Sequence, residues 1–325
     1  MATYYVDPAG SNTAPYDTWA NAATSLQTAV SACSGTGNII YARGTQTLTG
    51  SIDFASAASG ALGFYNKIIG CNASGDNDGT YFVLDGNNSN GASAAGIWSS
   101  NRTFWWLENI HVTRCLGDGV GGSNSYANSW VFVNCKSSSN GGVGFNGNSA
   151  ASTSRILYKC ISLNNGGNGY SNNRSSLLMF CVAKGNGARG FNGYGEVFYD
   201  CLAVNNKAEG IYTYGGDIIN CVVDGNGTTS THAGIDLPYT RTSAIGCRVT
   251  NQTGIGIRTS ATHLGLTLHN FVHTCSAGEF NSLAGALALG GDTISGTQGY
   301  VDRVNGDYNL TADATMRRVP VTLPE

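Results

Sequence analysis

The sequence predicts an all-β solenoid, a chain wound into short rungs that stack one on another as a parallel β-helix. Four observations lead there. A phrase recurs: "NCKSSSNGGVGF" from Asn134, "KCISLNNGGNGY" from Lys159, "FCVAKGNGARGF" from Phe180 and "DCLAVNNKAEGI" from Asp200. From Cys115 onward the cysteines stand 20, 25, 21, 20, 20, 26 and 28 residues apart, a period that marks a repeat architecture. The units are also built from Gly, Asn, Ser and β-branched residues, which favour turns and strands over helix; Gly alone is 46 of 325 residues, roughly twice the usual share. Finally, each apolar run is short, so every unit holds brief strands broken by turns, with rungs stacked at about 4.8 Å.

Aligning the units assigns each column a task. Cys135, Cys160, Cys181, Cys201, Cys221 and Cys247 are small apolar plugs expected to face inward as reduced thiols. No C-x-x-C occurs, which argues against a zinc knuckle, and stacked strands hold disulfides awkwardly. Five residues on come Asn140, Asn165, Asn186, Asn206 and Asn226, with Gln252 in the sixth unit. They are expected at a turn, in left-handed backbone, with amides bonded from rung to rung. Gly144, Gly169, Gly190, Gly210 and Gly256 are expected to relieve that bend. Phe145, Tyr170, Phe191, Ile211 and Ile257 restart the inward layer. An earlier unit fits with Ile110 in the cysteine column, Cys115 in the asparagine column and Gly119-Val120 at its close.

Residues 1–37 read as an N-terminal strand and a capping helix. In "DTWANAATSLQTAVSAC", Trp19, Ala23, Leu26, Val30 and Cys33 share one helical face, with Asp17 or Thr18 as the cap; such a helix hides the open end of a solenoid. Residues 38–290 read as a β-helix of about eleven rungs, a rod of about 50 Å. Residues 291–325 break the phrase and read as a C-terminal cap or a partner-binding tail.

The pattern resembles the right-handed parallel β-helix superfamily that includes pectate lyases, polygalacturonases and viral tailspikes. The opening "YYVDPAGSNTAPYDTWANAATSLQTAV", the early "NKIIGCNASGDNDGTYFVLDG", the "ENIHVTRC" rung and the closing "NGDYNLTADA" are similar to a group of right-handed β-helix proteins common in bacteria and their phages. The resemblance implies the fold, a right-handed parallel β-helix solenoid with an N-terminal capping helix. It does not choose a function, because lyases, hydrolases, epimerases and adhesive virion parts share this scaffold.

Charge and motifs narrow the function classes. Charged residues are 11% and the net charge is −3, so no basic surface points to nucleic acid. No run of eighteen apolar residues suggests a membrane span. "MATYYVDPAG" lacks the basic patch and apolar core of a secretory signal. The expectation is therefore a virion protein if phage-encoded, and otherwise a chain that is cytoplasmic or exported without a visible signal peptide. The N-T-D, G-D-D and G-H-G strings of polygalacturonases are absent, and the calcium carboxylates and arginine base of pectate lyases find no match. "GDNDG" (Gly75 to Gly79) reads as a turn. Asp200 with Asp217 or Asp224 is the best carboxylate pair available for hydrolysis. His263, His269 and His273 alternate on one stretch, with surface or capping roles preferred to zinc; no cofactor or metal is expected.

Two surface features stand out. Asn192, Tyr194, Tyr212 and Tyr214, with Asn146, Asn148, Ser171 and Asn173 on earlier rungs, form a strip that would suit a glycan, or simply a solvated strand face. Arg189 and Glu209 occupy the same position in adjacent rungs and should pair. Before each cysteine both positions are apolar: Phe132 and Val133, Leu157 and Tyr158, Leu178 and Met179, Phe198 and Tyr199, Ile218 and Ile219. Ile161, Val182, Leu202 and Val222 follow the cysteines. A strand turns only alternate residues inward, so one column points out, as in the interface of a homotrimer, unless a bend buries both. Two functional classes fit. The first is a non-enzymatic structural or adhesive protein, such as a phage capsid decoration or tail spike that binds glycans and other virion proteins. The second is a carbohydrate-active lyase or glycoside hydrolase.

Overall fold

A computed structural model describes residues 1–92, 94–122, 129–147, 154–171, 174–239, 242–259 and 266–278, and the strand segments 280–282, 287–288, 300–302 and 307–310. The chain forms two compact units, Met1–Gly166 with Ser171–Arg174, and Gly167–Tyr170 with Ser175–Glu325. Both are parallel β-helices in which the chain visits three parallel sheets in turn.

In unit 1 the first sheet stacks Thr3–Val6, Ile39–Arg43, Asn66–Cys71, Trp105–Glu108, Trp130–Val133 and Arg155–Tyr158. The second stacks Thr45–Thr47, Phe82–Asp85, Ile110–Thr113, Lys136–Ser138 and Ile161–Leu163, and the third Ile52–Asp53, Ile97–Trp98, Val120–Gly121 and Phe145–Asn146. Register lines up like residues. Ile40, Ile68, Leu107, Phe132 and Leu157 face inward in one column and are buried, each worth about 1.5–3 kcal/mol of transfer free energy.

Unit 2 repeats the plan. Its first sheet runs Leu177–Met179, Glu196–Tyr199, Gly216–Ile219, Thr242–Ile245, Leu266–Leu268 and Leu287–Ala288. Its second runs Val182–Lys184, Leu202–Val204, Val222–Asp224, Arg248–Thr250 and Phe271–His273. Its third runs Phe191–Gly193, Ile211–Thr213, Ala233–Leu237, Ile255–Thr259 and Phe280–Ser282. Leu178, Phe198, Ile218 and Ala244 line the interior against Phe191, Ile211, Ile235 and Ile257.

The six aligned cysteines are all buried, and all ten cysteines are thiols outside any disulfide. Cys135, Cys160, Cys201, Cys221 and Cys247 each sit against a carbonyl of the rung before: Cys160 Sγ lies 3.5 Å from Phe132 O in unit 1, and Cys201 Sγ 3.4 Å from Leu178 O in unit 2. Burial pushes the Cys201 and Cys221 thiols well up. Cys275 falls in the asparagine column, while Asn270 takes the cysteine position and accepts from Cys247 N at 2.9 Å.

The asparagine ladder is present, with its backbone geometry corrected. Asn140 Nδ2 donates to Asn165 Oδ1 at 2.9 Å in unit 1. In unit 2 Asn186 donates to Asn206 at 2.9 Å, and Asn206 to Asn226 at 2.8 Å; Asn226 N closes onto Gln252 Oε1 at 3.0 Å. The left-handed residue is the one before: Ser139 (φ 55), Asn164 (53), Gly185 (65), Asn205 (52), Gly225 (62) and Asn251 (53). A second left-handed site precedes each cysteine, at Asn134, Lys159, Phe180, Asp200 and Asn220. The kink turns the chain, and the ladder amide just beyond it is thereby aimed inward. The glycine column is not at this bend. A Cβ on Gly190 would stand 2.6 Å from Gly210 O and 2.8 Å from Asn206 Nδ2, so close stacking demands glycine there. In unit 1 an outer ladder was missed: Asn134 Nδ2 donates to Asn109 Oδ1 at 2.7 Å, and Asn109 Nδ2 to Asn77 Oδ1 at 2.6 Å.

The kink before the cysteine also explains the doubled apolar columns. It resets the alternation, so Phe132, Leu157, Leu178, Phe198 and Ile218 face in with the cysteines. Val133, Tyr158, Met179, Tyr199 and Ile219 face out and keep some exposure. In the column after the cysteine Ile161 is half-buried, whereas Val182, Leu202 and Val222 are buried.

The helix is shorter than the apolar spacing predicts, spanning Leu26–Ala32. Its cap is Ser25, whose Oγ accepts from Thr28 N at 3.2 Å, rather than Asp17 or Thr18. The preceding backbone is used elsewhere: Ala23 N donates to Tyr5 O at 2.9 Å and Asp7 N to Ala23 O at 3.0 Å. This bridge covers part of the free edge of the first strand, and Trp19 packs on Tyr5 at 4.8 Å instead of on a helix face. Apart from the antiparallel pair Tyr300–Asp302 with Asp307–Leu310, residues 291–325 lie outside the described residues.

Candidate functional site

The outward side of the third sheet in unit 2 gathers most of the polar chemistry expected from the sequence. Because Phe191, Ile211, Ile235 and Ile257 face inward, their neighbours Asn192, Tyr212, Asp236 and Arg258 face out in register. Two residues past the first pair, Tyr194 and Tyr214 stack with centroids 5.2 Å apart, and Tyr239 follows 4.5 Å from Tyr214. Tyr194 is 47% exposed and Tyr239 55%. The Tyr212 ring meets Tyr214 edge-on at 5.0 Å, and its hydroxyl donates to that of Tyr214.

A charge network borders these rings. Arg189 Nε donates to Glu209 Oε2 at 2.9 Å, as the matched positions predict, and Arg189 Nη1 donates to Asn192 Oδ1 at 3.1 Å. The Arg189 guanidinium lies 3.6 Å from the Tyr212 ring centroid, a cation–π contact. Arg258 reaches Glu209 Oε1 at 3.5 Å and binds Asp236 through Nε at 3.1 Å and through Nη2. The cluster thus alternates two cations with two anions, and each oxygen of both carboxylates lies against a guanidinium nitrogen. Asp236 holds the Arg258 guanidinium above its ordinary value. Burial, then the bond to Tyr214, raises the Tyr212 phenol, so it is no source of phenolate. The arrangement offers ring edges, hydroxyls and amide groups in a row; it offers no carboxylate free of a partner to act as nucleophile or proton carrier.

The carboxylates chosen for hydrolysis do not assemble. Asp224, on the second sheet, is fully buried and accepts from Thr250 Oγ1 at 2.7 Å and Asn251 Nδ2 at 2.6 Å. Asp217 faces out from the first sheet beside Val197 and Ser243. Asp200 occupies a left-handed kink, where burial raises its carboxyl against an opposing bond from Asn220. Asp217 thus lies on the first sheet, Asp224 inside the second and Asp200 at the kink between those sheets. His269 sits exposed at a kink and His273 on the second sheet; His263, Asn148 and Asn173 lie outside the described residues.

Unit 1 carries a groove the sequence did not reveal, about 430 Å³ and lined by Asp7, Arg43, Thr45, Cys71, Thr80 and Tyr81. The loop between Cys71 and Phe82, which includes the expected "GDNDG" turn, walls it. Its groups are committed: Arg43 binds Asp7 at 2.8 Å and Ala73 O at 2.7 Å, and lies over Trp19. Burial pushes Tyr81 up to about 12, and burial with the Asp76 charge pushes Cys71 up to about 11. Nearby His111 is driven down to about 4 by burial, with Lys136 adding to it, and its Nε2 lies 2.8 Å from Ser138 Oγ. No nucleophile is poised there.

Comparison with solved structures places this architecture among right-handed parallel β-helices. A pectate lyase, Pel9A, matches with a TM-score of 0.65 at 15% identity, over 97% of this chain and 90% of its own. The A-module of mannuronan C-5 epimerase AlgE6 from Azotobacter vinelandii matches with a TM-score of 0.55 at 15% identity, over 84% and 95%. A lacto-N-biosidase from Eubacterium ramulus matches with a TM-score of 0.51 at 9% identity, over 90% and 68%. No family model matches the chain, and no curated protein does.

Proposed function

We propose that this chain is a non-catalytic, adhesive β-helix protein that binds a glycan along the tyrosine run of unit 2. The observation that carries the reading is the row Tyr194, Tyr214 and Tyr239, spaced 4.5–5.2 Å and solvent-facing at Tyr194 and Tyr239, beside a charge cluster that cancels itself. Pyranose rings present apolar C–H faces and hydroxyls together, and amphipathic aromatics with adjacent amides match both. Because Arg189 and Arg258 are already paired, the ligand class is a neutral or weakly charged glycan rather than a polyanion. Structures of like fold carry the names of enzymes of pectate, mannuronan and lacto-N-biose chemistry, which supports carbohydrate as the ligand class. The saturation of Glu209 and Asp236 supports binding without cleavage. A phage virion, as capsid decoration or tail spike, is the setting that such an adhesive role fits.

A panel of polysaccharides and oligosaccharides, assayed by calorimetry and by release of reducing or unsaturated ends, tests this. Binding without product release is expected. Tyr239→Ala and Tyr194→Ala should each weaken binding about tenfold, roughly 1.4 kcal/mol, without altering the far-UV spectrum. Product release abolished by Glu209→Gln would establish the carbohydrate-active enzyme instead, and absence of binding across the panel would remove the glycan.

A further inference from the structure

The first sheet of unit 1 turns an apolar face outward. Column by column it carries Ile39, Lys67, Trp106, Val131 and Ile156, then Tyr41, Ile69, Glu108, Val133 and Tyr158. Eight of these ten are aliphatic or aromatic; Ile156 is 41% exposed, Val131 is buried and the others are half-buried. At the edge of this face the chain makes a tight turn, Ala61 to Phe64, closed by bonds between Ala61 and Phe64 in both directions with Gly63 at φ 80. The turn lifts Leu62 (80% exposed) and Phe64 (61%) into solvent. Tyr65 links it to the sheet, meeting Phe104 at 5.7 Å and Trp106 at 6.5 Å. Solvent-exposed leucine and phenylalanine on an ordered turn next to an apolar sheet are a surface built to be covered.

The two charges on the face are opposite in sign, and each has contacts of its own. Glu108 accepts from Trp106 Nε1 at 3.0 Å and from Asn77 Nδ2 at 2.9 Å. The Lys67 ammonium lies 5.5 Å from the Trp106 ring centroid. The face therefore carries one cation and one anion, and it offers no net field to select an oppositely charged partner. Its size is informative too. Five strands of about four residues give roughly 350 Å², and the turn adds roughly 250 Å². About 600 Å² on each of two copies totals about 1,200 Å², the lower end of stable interfaces, and strongly apolar surfaces are those of permanent homo-oligomers.

We infer that this face, with the Leu62–Phe64 turn, packs against a second copy of the same chain. An isologous contact sets the patch against itself, and here self-contact brings apolar columns together while each copy contributes one cation, Lys67, and one anion, Glu108. The surface lies on a different sheet and in a different unit from the tyrosine run, so it stands or falls independently of the glycan reading.

Sedimentation velocity across a concentration series tests it on the full chain. The wild type is expected to self-associate. The double variant Leu62→Ser/Phe64→Ser, and separately Ile156→Lys, are expected to raise the dissociation constant at least tenfold with unchanged far-UV spectra. Both sites are exposed, so loss of folding is not expected; agreement between them keeps the test sound if one variant misbehaves. A wild type that stays monomeric at every soluble concentration overturns the inference. So do variants that associate as tightly as the wild type, or a monomer that instead co-sediments with phosphatidylcholine vesicles through Leu62 and Phe64.

Discussion

Asn206 joins three rungs through one side chain. Its Oδ1 accepts from Asn186 N and Nδ2 at 3.1 and 2.9 Å, while its Nδ2 donates to Asn226 Oδ1 at 2.8 Å and Ala183 O at 3.0 Å. All of these groups are buried, so removing the amide strands donors and acceptors together. Asn206→Ala should lower stability by about 2–4 kcal/mol, read as a shifted urea midpoint. The asparagine column was legible because its partners force one residue type. The left-handed kinks before the cysteines were not, because residues as unlike as Lys159, Phe180 and Asp200 all meet that demand on the backbone. The amides mark where the kink has just occurred, one residue late.

At the scale of the strand and turn, stacking distance decides which glycines are obligatory. Gly190 lies against the backbone of the next rung, with Gly210 O 2.6 Å from where a methyl would stand, whereas a Cβ on Gly35 meets nothing within 4 Å. Gly190→Ala should destabilise by about 1–3 kcal/mol through overpacking, while Gly35→Ala should change the melting temperature little; thermal unfolding of the pair checks both. The terminal helix shows the converse limit of sequence reading. Apolar spacing from Trp19 to Cys33 is compatible with one long helix, yet the backbone at Ala23 bonds the open edge of the first strand. Periodicity reports which residues are apolar, and cannot say that an unpaired strand nearby will claim their amides. The tyrosine run was legible as a column of residue types, but its contact with Arg258 and Asp236 was not, since those lie beyond the irregular insertion after Cys221.

For the molecule as a whole, the architecture followed from period and composition, while function had to be read from surfaces that the period does not constrain. Inside, the constraint is severe, and it dispenses with covalent staples. All ten cysteines are buried as thiols rather than disulfides, and burial drives Cys33 and Cys115 up to about 12. A thiol reagent should label none of the ten in the native state and all ten in denaturant, and reductant should leave the melting temperature unchanged; labelling of native protein would show that the interior opens. The spacing of Cys181, Cys201 and Cys221 is equal to the residue, and their rungs pair without a shift. Neighbouring coding segments are therefore interchangeable in length. Unequal recombination between them would insert or excise a complete coil while the flanking joints remained compatible, so a lineage could lengthen or shorten this protein in whole steps and graft new surface onto an old interior.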